Sequence, residues 1–182
     1  MEFIAIDFET ATQHDPCEIG LTIVQNGKIV ETISEYIKPA SFPYFNPFHQ
    51  RVHGISAADV QHAPDFEQLW VKLQPLLSEK MLVAHNAAFD MGVLRAILQR
   101  YDIALPHCDY MCSVSMARKV WKGQPSYSLG YICSTFGIEF THHRAGADAE
   151  ACAKLVLQAM HDMQVNTLEE LRLKIKQPLK QL

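Results

Sequence analysis

The N-terminal run Phe3-Ile4-Ala5-Ile6 is apolar at every position. Such a run suits a strand that is covered on both faces, so it predicts a strand over residues 3–8 inside a layered fold. A second strand is expected over residues 19–25, and Asn26-Gly27 is a strong two-residue hairpin signal that returns the chain along residues 29–37. The chain therefore begins with antiparallel strands, and the first of them is buried.

Short apolar runs at residues 81–84 and 110–113 predict two further strands. Helices are expected before, between and after them, over residues 65–77, 88–101, 114–120, 127–136, 147–163 and 167–175. Residues 39–53, with three prolines and four aromatics, predict an irregular surface loop, and residues 56–59 predict a short capped turn.

Strands followed by helix–strand–helix units indicate an α/β fold with a mixed central sheet of about five strands flanked by helices. No linker composition interrupts the chain. We expect a single domain over residues 1–165, followed by a C-terminal helical tail over residues 166–182.

The composition is that of a globular protein, with 48% hydrophobic and 20% charged residues. The net charge of −4 argues against a broad basic face for nucleic acid, although bound divalent cations could supply positive charge locally. The five scattered cysteines are expected to be free thiols and not zinc ligands. Since the N-terminus has no basic signal region and no apolar run approaches the ~20 residues of a membrane span, we expect a cytoplasmic protein with no membrane partner.

Asp7 and Glu9 are two residues apart on the first strand, so their carboxylates project from the same face. Two such acids repel each other unless a cation lies between them, and hard divalent cations prefer oxygen ligands. The pair alone is equally compatible with two acids at a frayed strand end. It therefore indicates a metal site only in combination with other residues.

Two further clusters contain acids and histidines. His85-Asn86-Ala87-Ala88-Phe89-Asp90 lies where a buried strand gives way to a helix, a position that favours ligand sites in open sheets. His143 stands five residues before Asp148, which is expected to start a helix, so that an imidazole able to accept a proton at neutral pH would face a carboxylate. Taken singly, Asp90 and Asp148 are explained better as acids in the first turn of a helix.

The three clusters in this order resemble the DEDDh branch of the DnaQ-like 3′→5′ exonucleases, which have a ribonuclease H-like fold. The proofreading epsilon subunit of bacterial DNA polymerase III, ribonuclease T and oligoribonuclease belong to this group. The resemblance covers about residues 1–160 and extends to further motifs: Val52-His53-Gly54-Ile55, Met116-Ala117-Arg118, Pro125-Ser126-Tyr127-Ser128-Leu129 and Asp148-Ala149.

The resemblance implies a two-metal-ion hydrolysis of phosphodiester bonds that releases nucleoside 5′-monophosphates. The cofactors would be two divalent cations, Mg²⁺ or Mn²⁺, and His143 would take the proton from the attacking water. The cations would be held by Asp7, Glu9, Asp90 and Asp148. By the same resemblance, the terminal nucleotides would be contacted by Phe8, Thr10, Val52, His53 and Phe89, although Phe89 is as readily explained by core packing.

Several functional alternatives follow from the same residues. DNA 3′ ends are the expected substrate, with an RNA-trimming exonuclease of the ribonuclease T or oligoribonuclease type as the alternative. A proofreading role would imply a DNA polymerase as partner, and a non-catalytic nucleic-acid or partner-binding module is the remaining class. Surface cations are more often simply solvated, but four are candidate phosphate contacts: Arg118, Lys119, Lys122 and Arg144. The sequence gives no reason to favour a particular oligomeric state.

Overall fold

A six-stranded mixed sheet lies at the centre of the computed structural model, which describes residues 2–182. Met1, with which the predicted domain begins, lies outside the described residues. The strands are β1 (Glu2–Thr12), β2 (Asp15–Gln25), β3 (Lys28–Tyr36), β4 (Met81–Ala84), β5 (Asp109–Cys112) and β6 (Lys180–Gln181). Their order across the sheet is β3-β2-β1-β4-β5-β6.

The sheet is antiparallel on one side and parallel in the middle. β1 pairs antiparallel with β2 and parallel with β4, and β4 pairs parallel with β5. Asn26 and Gly27 both have positive φ, 52° and 74°, as the predicted hairpin between β2 and β3 requires. The expected α/β class and mixed sheet are confirmed, with six strands in place of about five.

Eight helices are assigned within residues 2–182 and pack on both faces of the sheet. They are α1 (Pro47–His53), α2 (Ala57–Val60), α3 (Phe66–Leu77), α4 (Ala88–Arg100), α5 (Ser113–Val120), α6 (Leu129–Thr135), α7 (Ala145–Asp162) and α8 (Leu168–Lys174). In the segment predicted as a helical tail, α8 is followed by β6, which pairs antiparallel with β5. The division into domain and tail stays a prediction.

Alternate residues of β1 enter the two halves of the core. Ile4 and Ile6 pack in one cluster with α3 and α4, while Phe3 and Ala5 pack in another with α7 and α8. This arrangement confirms the expectation of a strand covered on both faces. Because side chains alternate along a strand, Asp7 and Glu9 continue the row of Phe3 and Ala5 towards α7.

The first two strands are longer than predicted, since β1 extends to Thr12 and β2 begins at Asp15, and two further predictions were wrong. The segment predicted as an irregular loop contains α1, because Asn46 Oδ1 accepts a hydrogen bond from the Phe48 N–H at 2.9 Å and Pro47 occupies the first turn. Helix α7 begins at Ala145, so Asp148 lies in its first turn instead of starting it. All five cysteines are free, as predicted. No helix among residues 2–182 combines the length and apolarity needed to cross a bilayer.

Candidate active site

Three carboxylates lie at the carboxyl ends of β1 and β4. Asp7 and Glu9 are half-buried on β1, while Asp90, on the first turn of α4, is only 1% exposed. Asn86 has a positive φ of 71°, which turns the chain sharply between β4 and α4. We call the carboxylates of Asp7, Glu9 and Asp90 the acidic floor.

Asp90 is fixed through one oxygen only. Its Oδ1 accepts a hydrogen bond from the Phe8 N–H at 3.1 Å, which ties the start of α4 to β1 between Asp7 and Glu9. Its Oδ2 is buried and has no hydrogen-bond partner among the described residues. A buried carboxylate oxygen without a donor is costly unless a cation or ordered water meets it, so this atom points to a missing ligand.

Asp148 enters from α7, whose N-terminus packs tightly against the hairpin of β2 and β3. A Cβ atom added to Gly20 would overlap the Ala145 carbonyl carbon, and one added to Gly146 would lie 2.8 Å from Ser34 Cβ. Asp148 Oδ2 accepts a hydrogen bond from the Arg144 N–H at 3.1 Å. The helix therefore brings a fourth carboxylate over the acidic floor in a defined orientation.

The segment before α7 carries two adjacent histidines, and we call residues 141–144 the histidine segment. His143 is exposed and has a positive φ of 60°. One ligand-type atom each of His143, Glu9 and Asp148 lies within 4.8 Å of the others. His142 packs on Phe140 with ring centroids 4.1 Å apart, and its Nδ1 lies 3.9 Å from Asp148 Oδ1.

These groups surround one open cleft with a volume of about 620 Å³. Its lining includes three of the four carboxylates and both histidines of the histidine segment. The fourth carboxylate, Asp90, lies behind the lining residue Phe8, to whose N–H it is bonded. The complete lining is Asp7, Phe8, Glu9, His85, Phe89, Ser128, Leu129, Gly130, His142, His143 and Asp148. The five predicted catalytic residues thus come together at one place.

The cleft is electrostatically strained when no cation is present. Burial raises the pKa of Asp7, and repulsion from Asp90, Asp148 and Glu9 raises it further. Burial also raises the pKa of Glu9 and of Asp90, each to about 8, and it raises the pKa of Asp148. Carboxyl groups whose ionised forms are disfavoured by burial and by one another favour a bound cation, because positive charge would relieve both the desolvation and the repulsion.

The donor set fits a hard divalent cation. The ligands offered are carboxylate oxygens with one imidazole nitrogen, and no cysteine lines the cleft. The unpaired Asp90 Oδ2 supplies an oxygen that the protein itself leaves without a donor. Metal ions could therefore be held by Asp7, Glu9, Asp90 and Asp148. Asp90 Oδ2 would be free to bind one of them, because it has no hydrogen bond to lose.

The five residues predicted to contact substrate fall into two groups. Phe8 and Phe89 line the cleft. Phe89 is 40% exposed, so the alternative expectation that it packs in the core was wrong. Thr10, Val52 and His53 are not among the lining residues. His53 is buried, with Nδ1 accepting from the Ile55 N–H at 3.0 Å and Nε2 bonded to the Thr10 carbonyl at 3.1 Å. The contact of these three residues with substrate stays a prediction.

Two further side chains bear on the site: His85, which belongs to the second sequence cluster, and Glu18, which the sequence patterns missed. His85 lines the cleft, but its ring is bonded to Ser113 Oγ at 2.8 Å and to the Tyr127 carbonyl at 3.0 Å. Burial lowers its pKa to about 4, so it is a neutral wall of the cleft. Glu18 is only 1% exposed and pairs with Arg144, which removes Arg144 from the freely solvated cations. The predicted second strand began after Glu18, so no pattern singled it out.

Comparison with known proteins identifies the relatives of this chain. A family model described as "Exonuclease" matches residues 4–156. The 3′-5′ exonuclease DinG of Bacillus subtilis is 30% identical over 181 residues, which cover 93% of this chain and 19% of DinG. A PolC-type DNA polymerase III of Streptococcus pneumoniae is 27% identical over 159 residues, covering 85% of this chain and 11% of the polymerase. The chain thus spans a fifth or less of these two relatives.

Solved structures have the same architecture. Exonuclease X in complex with 5′ overhanging duplex DNA superposes with a TM-score of 0.76 at 27% identity, covering 93% of this chain and 96% of that one. The nuclease domain of 3′hExo, a DEDDh family member bound to rAMP, gives a TM-score of 0.74 at 18% identity over 88% of this chain and 92% of the other, a likeness of fold. The expected ribonuclease H-like architecture is therefore confirmed.

Proposed function

The chain belongs to the exonuclease family, and from this premise we propose that it hydrolyses phosphodiester bonds at DNA 3′ ends and releases nucleoside 5′-monophosphates. The observation that carries the proposal is the convergence of Asp7, Glu9, Asp90 and Asp148 on one cleft beside His143. These five residues come from β1, from the first turns of α4 and α7 and from the segment before α7, which are far apart in the sequence. A shared role in one reaction explains why they meet.

Divalent cations are the cofactors that this family uses, and the acidic floor with Asp148 would hold two of them, Mg²⁺ or Mn²⁺. When bound, the cations would polarise the scissile phosphate and make the attacking water more acidic. Asp7 would be one of their ligands, since its carboxyl group is close enough to Asp90, Asp148 and Glu9 for their charges to raise its pKa. Because each carboxyl group has a raised pKa, cation binding would displace protons from the site.

His143 would act as the general base. Its exposed imidazole stands at the open side of the cleft, within reach of Glu9 and Asp148. The water oxygen would attack phosphorus, its proton would pass to His143, and the bond to the 3′ oxygen of the preceding nucleotide would break. Asp148, fixed by the Arg144 N–H, would face the protonated imidazole and stabilise it.

DNA is the favoured substrate because exonuclease X, which shares 27% identity over nearly its whole length, was solved on duplex DNA. Phe89 would stack on a base of the substrate strand, since it is exposed in the cleft wall next to Asp90. The similarity to the PolC-type polymerase supports a proofreading or repair-like role, with a DNA polymerase as a possible partner. A cytoplasmic location belongs to the same proposal.

The test is digestion of matched 5′-labelled single-stranded DNA and RNA oligonucleotides with Mg²⁺, Mn²⁺ or EDTA. We expect a metal-dependent ladder that shortens from the 3′ end, with DNA degraded faster than RNA. Faster degradation of RNA than of DNA would mean that RNA, and not DNA, is the preferred substrate. A protein that is stabilised by Mn²⁺ but digests neither oligonucleotide would instead be a binding module, and the proposal would be wrong.

A further inference from the structure

A fifth carboxylate, Glu18, stands next to the acidic floor. It lies opposite Glu9 in the antiparallel pairing of β1 and β2, so the two side chains project from the same face of the sheet. Glu18 is only 1% exposed, and its charge contributes to the raised pKa of Glu9 after burial and Asp148. A buried acid at this place either adds to the cation site or has another task.

Hydrogen bonds decide between these roles. Glu18 Oε1 accepts from Ser34 Oγ at 2.8 Å and from Arg144 Nη2 at 3.1 Å, and Oε2 accepts from the Ala145 N–H at 3.1 Å. Both oxygens are therefore occupied by donors of the protein. Asp90 Oδ2, in contrast, has none. The hydrogen bonds of Glu18 therefore hold groups of the protein, whereas Asp90 keeps one oxygen available for a cation.

The groups that Glu18 holds belong to the junction of the histidine segment and α7. Arg144 is the last residue of the segment, and Ala145 is the first residue of the helix, whose N–H has no partner within the helix. Arg144 Nη2 also donates to Tyr36 Oη at 3.0 Å. Its backbone N–H donates to Asp148 Oδ2. One residue thus connects Glu18 to a predicted metal ligand and follows His143 directly.

We infer that Glu18 is a positioning residue, which fixes His143 over the acidic floor beside Asp148 by clamping Arg144 and Ala145 to the sheet. The inference rests on the proposed function. The carboxylate of this ion pair is buried but the Arg144 side chain is 44% exposed, so with a neutral glutamine at position 18 the charge-assisted hydrogen bond would be lost and the guanidinium could turn to solvent, which would open the clamp. Displacement of a reacting group by about 1 Å can cost about 10²-fold in rate, which makes a remote clamp matter for catalysis.

The first experiment compares Glu18→Gln with Glu31→Gln, the same chemical change at an exposed position on β3. For Glu18→Gln we expect kcat on a single-stranded DNA oligonucleotide to fall about 10- to 100-fold, with KM and the affinity for Mn²⁺ changing less than about threefold. Glu31→Gln should behave as the wild type. Arg144→Met should reproduce the kcat defect, because it breaks the same clamp from the other side.

A double variant separates positioning from general destabilisation. In a His143→Ala background, Glu18→Gln should lower kcat less than about threefold further, since the base that it positions is already absent. An undiminished loss in that background, or a wild-type kcat in Glu18→Gln alone, would overturn the inference. Failure of the wild type to digest any substrate would count instead against the proposed function.

Hydrogen exchange tests the clamp without nuclease activity. In Glu18→Gln the amides of residues 144–148 should exchange at least about tenfold faster than in the wild type, while amides in the centre of β1 keep their rates. Unchanged exchange at residues 144–148 would show that Glu18 does not hold this junction. That result would overturn the inference even in a protein that digests nothing.

Discussion

The acidic floor and the histidine segment face each other across one cleft, but they are held in different ways. The floor stands on β1 and the first turn of α4, where the neighbouring residues Ile6, Phe8 and Ala87 are buried. All four residues of the histidine segment are exposed. The segment is tied down mainly at its end, by the contacts of Arg144 with Glu18, Tyr36 and Asp148.

This difference indicates how the two regions divide the work. A floor whose neighbouring residues are buried suits ligands that must keep a fixed spacing around cations. An exposed segment suits a base that exchanges protons with water. Changes in the floor should therefore remove cation binding together with activity. Changes in the histidine segment should reduce the rate and leave cation binding in place.

Asp7→Ala should have the largest effect and should abolish digestion. Without Asp7 the floor loses the carboxylate whose pKa is raised well above its usual range by burial and by its acidic neighbours. The same change should raise the melting temperature in EDTA, because one source of repulsion is gone, and should reduce stabilisation by Mn²⁺. Digestion assays and thermal melts would measure both, with exposed Glu67→Ala as the control. Surviving activity would refute the assignment of Asp7 as a metal ligand.

His143→Ala should lower kcat by about 10²–10⁴-fold, the usual weight of a general base. Stabilisation by Mn²⁺ should persist, since the four carboxylates remain. His142→Ala is the matched control, because the adjacent ring packs on Phe140 and against Gly130 in the cleft wall. A larger loss of kcat in His142→Ala than in His143→Ala would reverse the roles of the two histidines. Loss of stabilisation by Mn²⁺ in His143→Ala would mean that the histidine segment also contributes to cation binding.

Phe89→Ala should have a smaller effect, confined to substrate affinity. A base stacked on an aromatic ring contributes about 1–3 kcal/mol, so KM should rise about 10- to 100-fold while kcat changes little. Val71→Ala is a suitable control, because Val71 is 76% exposed on α3 and does not line the cleft. An unchanged KM, combined with a lower melting temperature, would mean that Phe89 serves packing instead of binding.

Local patterns predicted most of the fold. The strand at residues 81–84 and the helix capped by Asp65 depend on neighbouring residues, and the structure places both where the patterns indicated. The predicted exonuclease class is confirmed by the family match over residues 4–156, and the relatives include a 3′-5′ exonuclease, DinG. Helix α1 was missed because three prolines and four aromatics suggested a loop, although Asn46-Pro47 is a good start for a helix.

Long-range contacts could not be predicted in the same way. The bond from Phe8 to Asp90 spans 82 residues, and the bond from Ala145 to Glu18 spans 127. Both depend on strand register and on how closely α7 approaches Gly20, and no short pattern in the sequence carries that information. The residues that converge on the cleft were recognisable as a set, whereas Glu18, which bonds to Arg144 and Ala145 beside them, was not.

The smallest expected effect is a pH dependence of stability without metal. Burial raises the pKa of Glu9 and of Asp90 to about 8, against about 4 in an unfolded chain. Between these values the folded protein binds more protons than the unfolded one, so the free energy of unfolding falls as pH rises towards 8 and levels off above it. Buried His53 and His85 have lowered pKa values and act in the opposite direction, but only where unfolded histidine is protonated.

The measurement is therefore a series of thermal melts in EDTA between about pH 7 and 8, where most unfolded histidine is neutral and most unfolded cysteine is still a thiol. The melting temperature should decrease through this range, because the free energy of unfolding falls by at most about 1.4 kcal/mol per pH unit for each extra proton that the folded state holds. Stabilisation by Mn²⁺ should increase over the same range, because the cation competes with those protons. Asp7→Ala should flatten both slopes. A melting temperature that stays constant in EDTA would mean that the floor is ionised without a cation, so that repulsion within it is relieved by some other group.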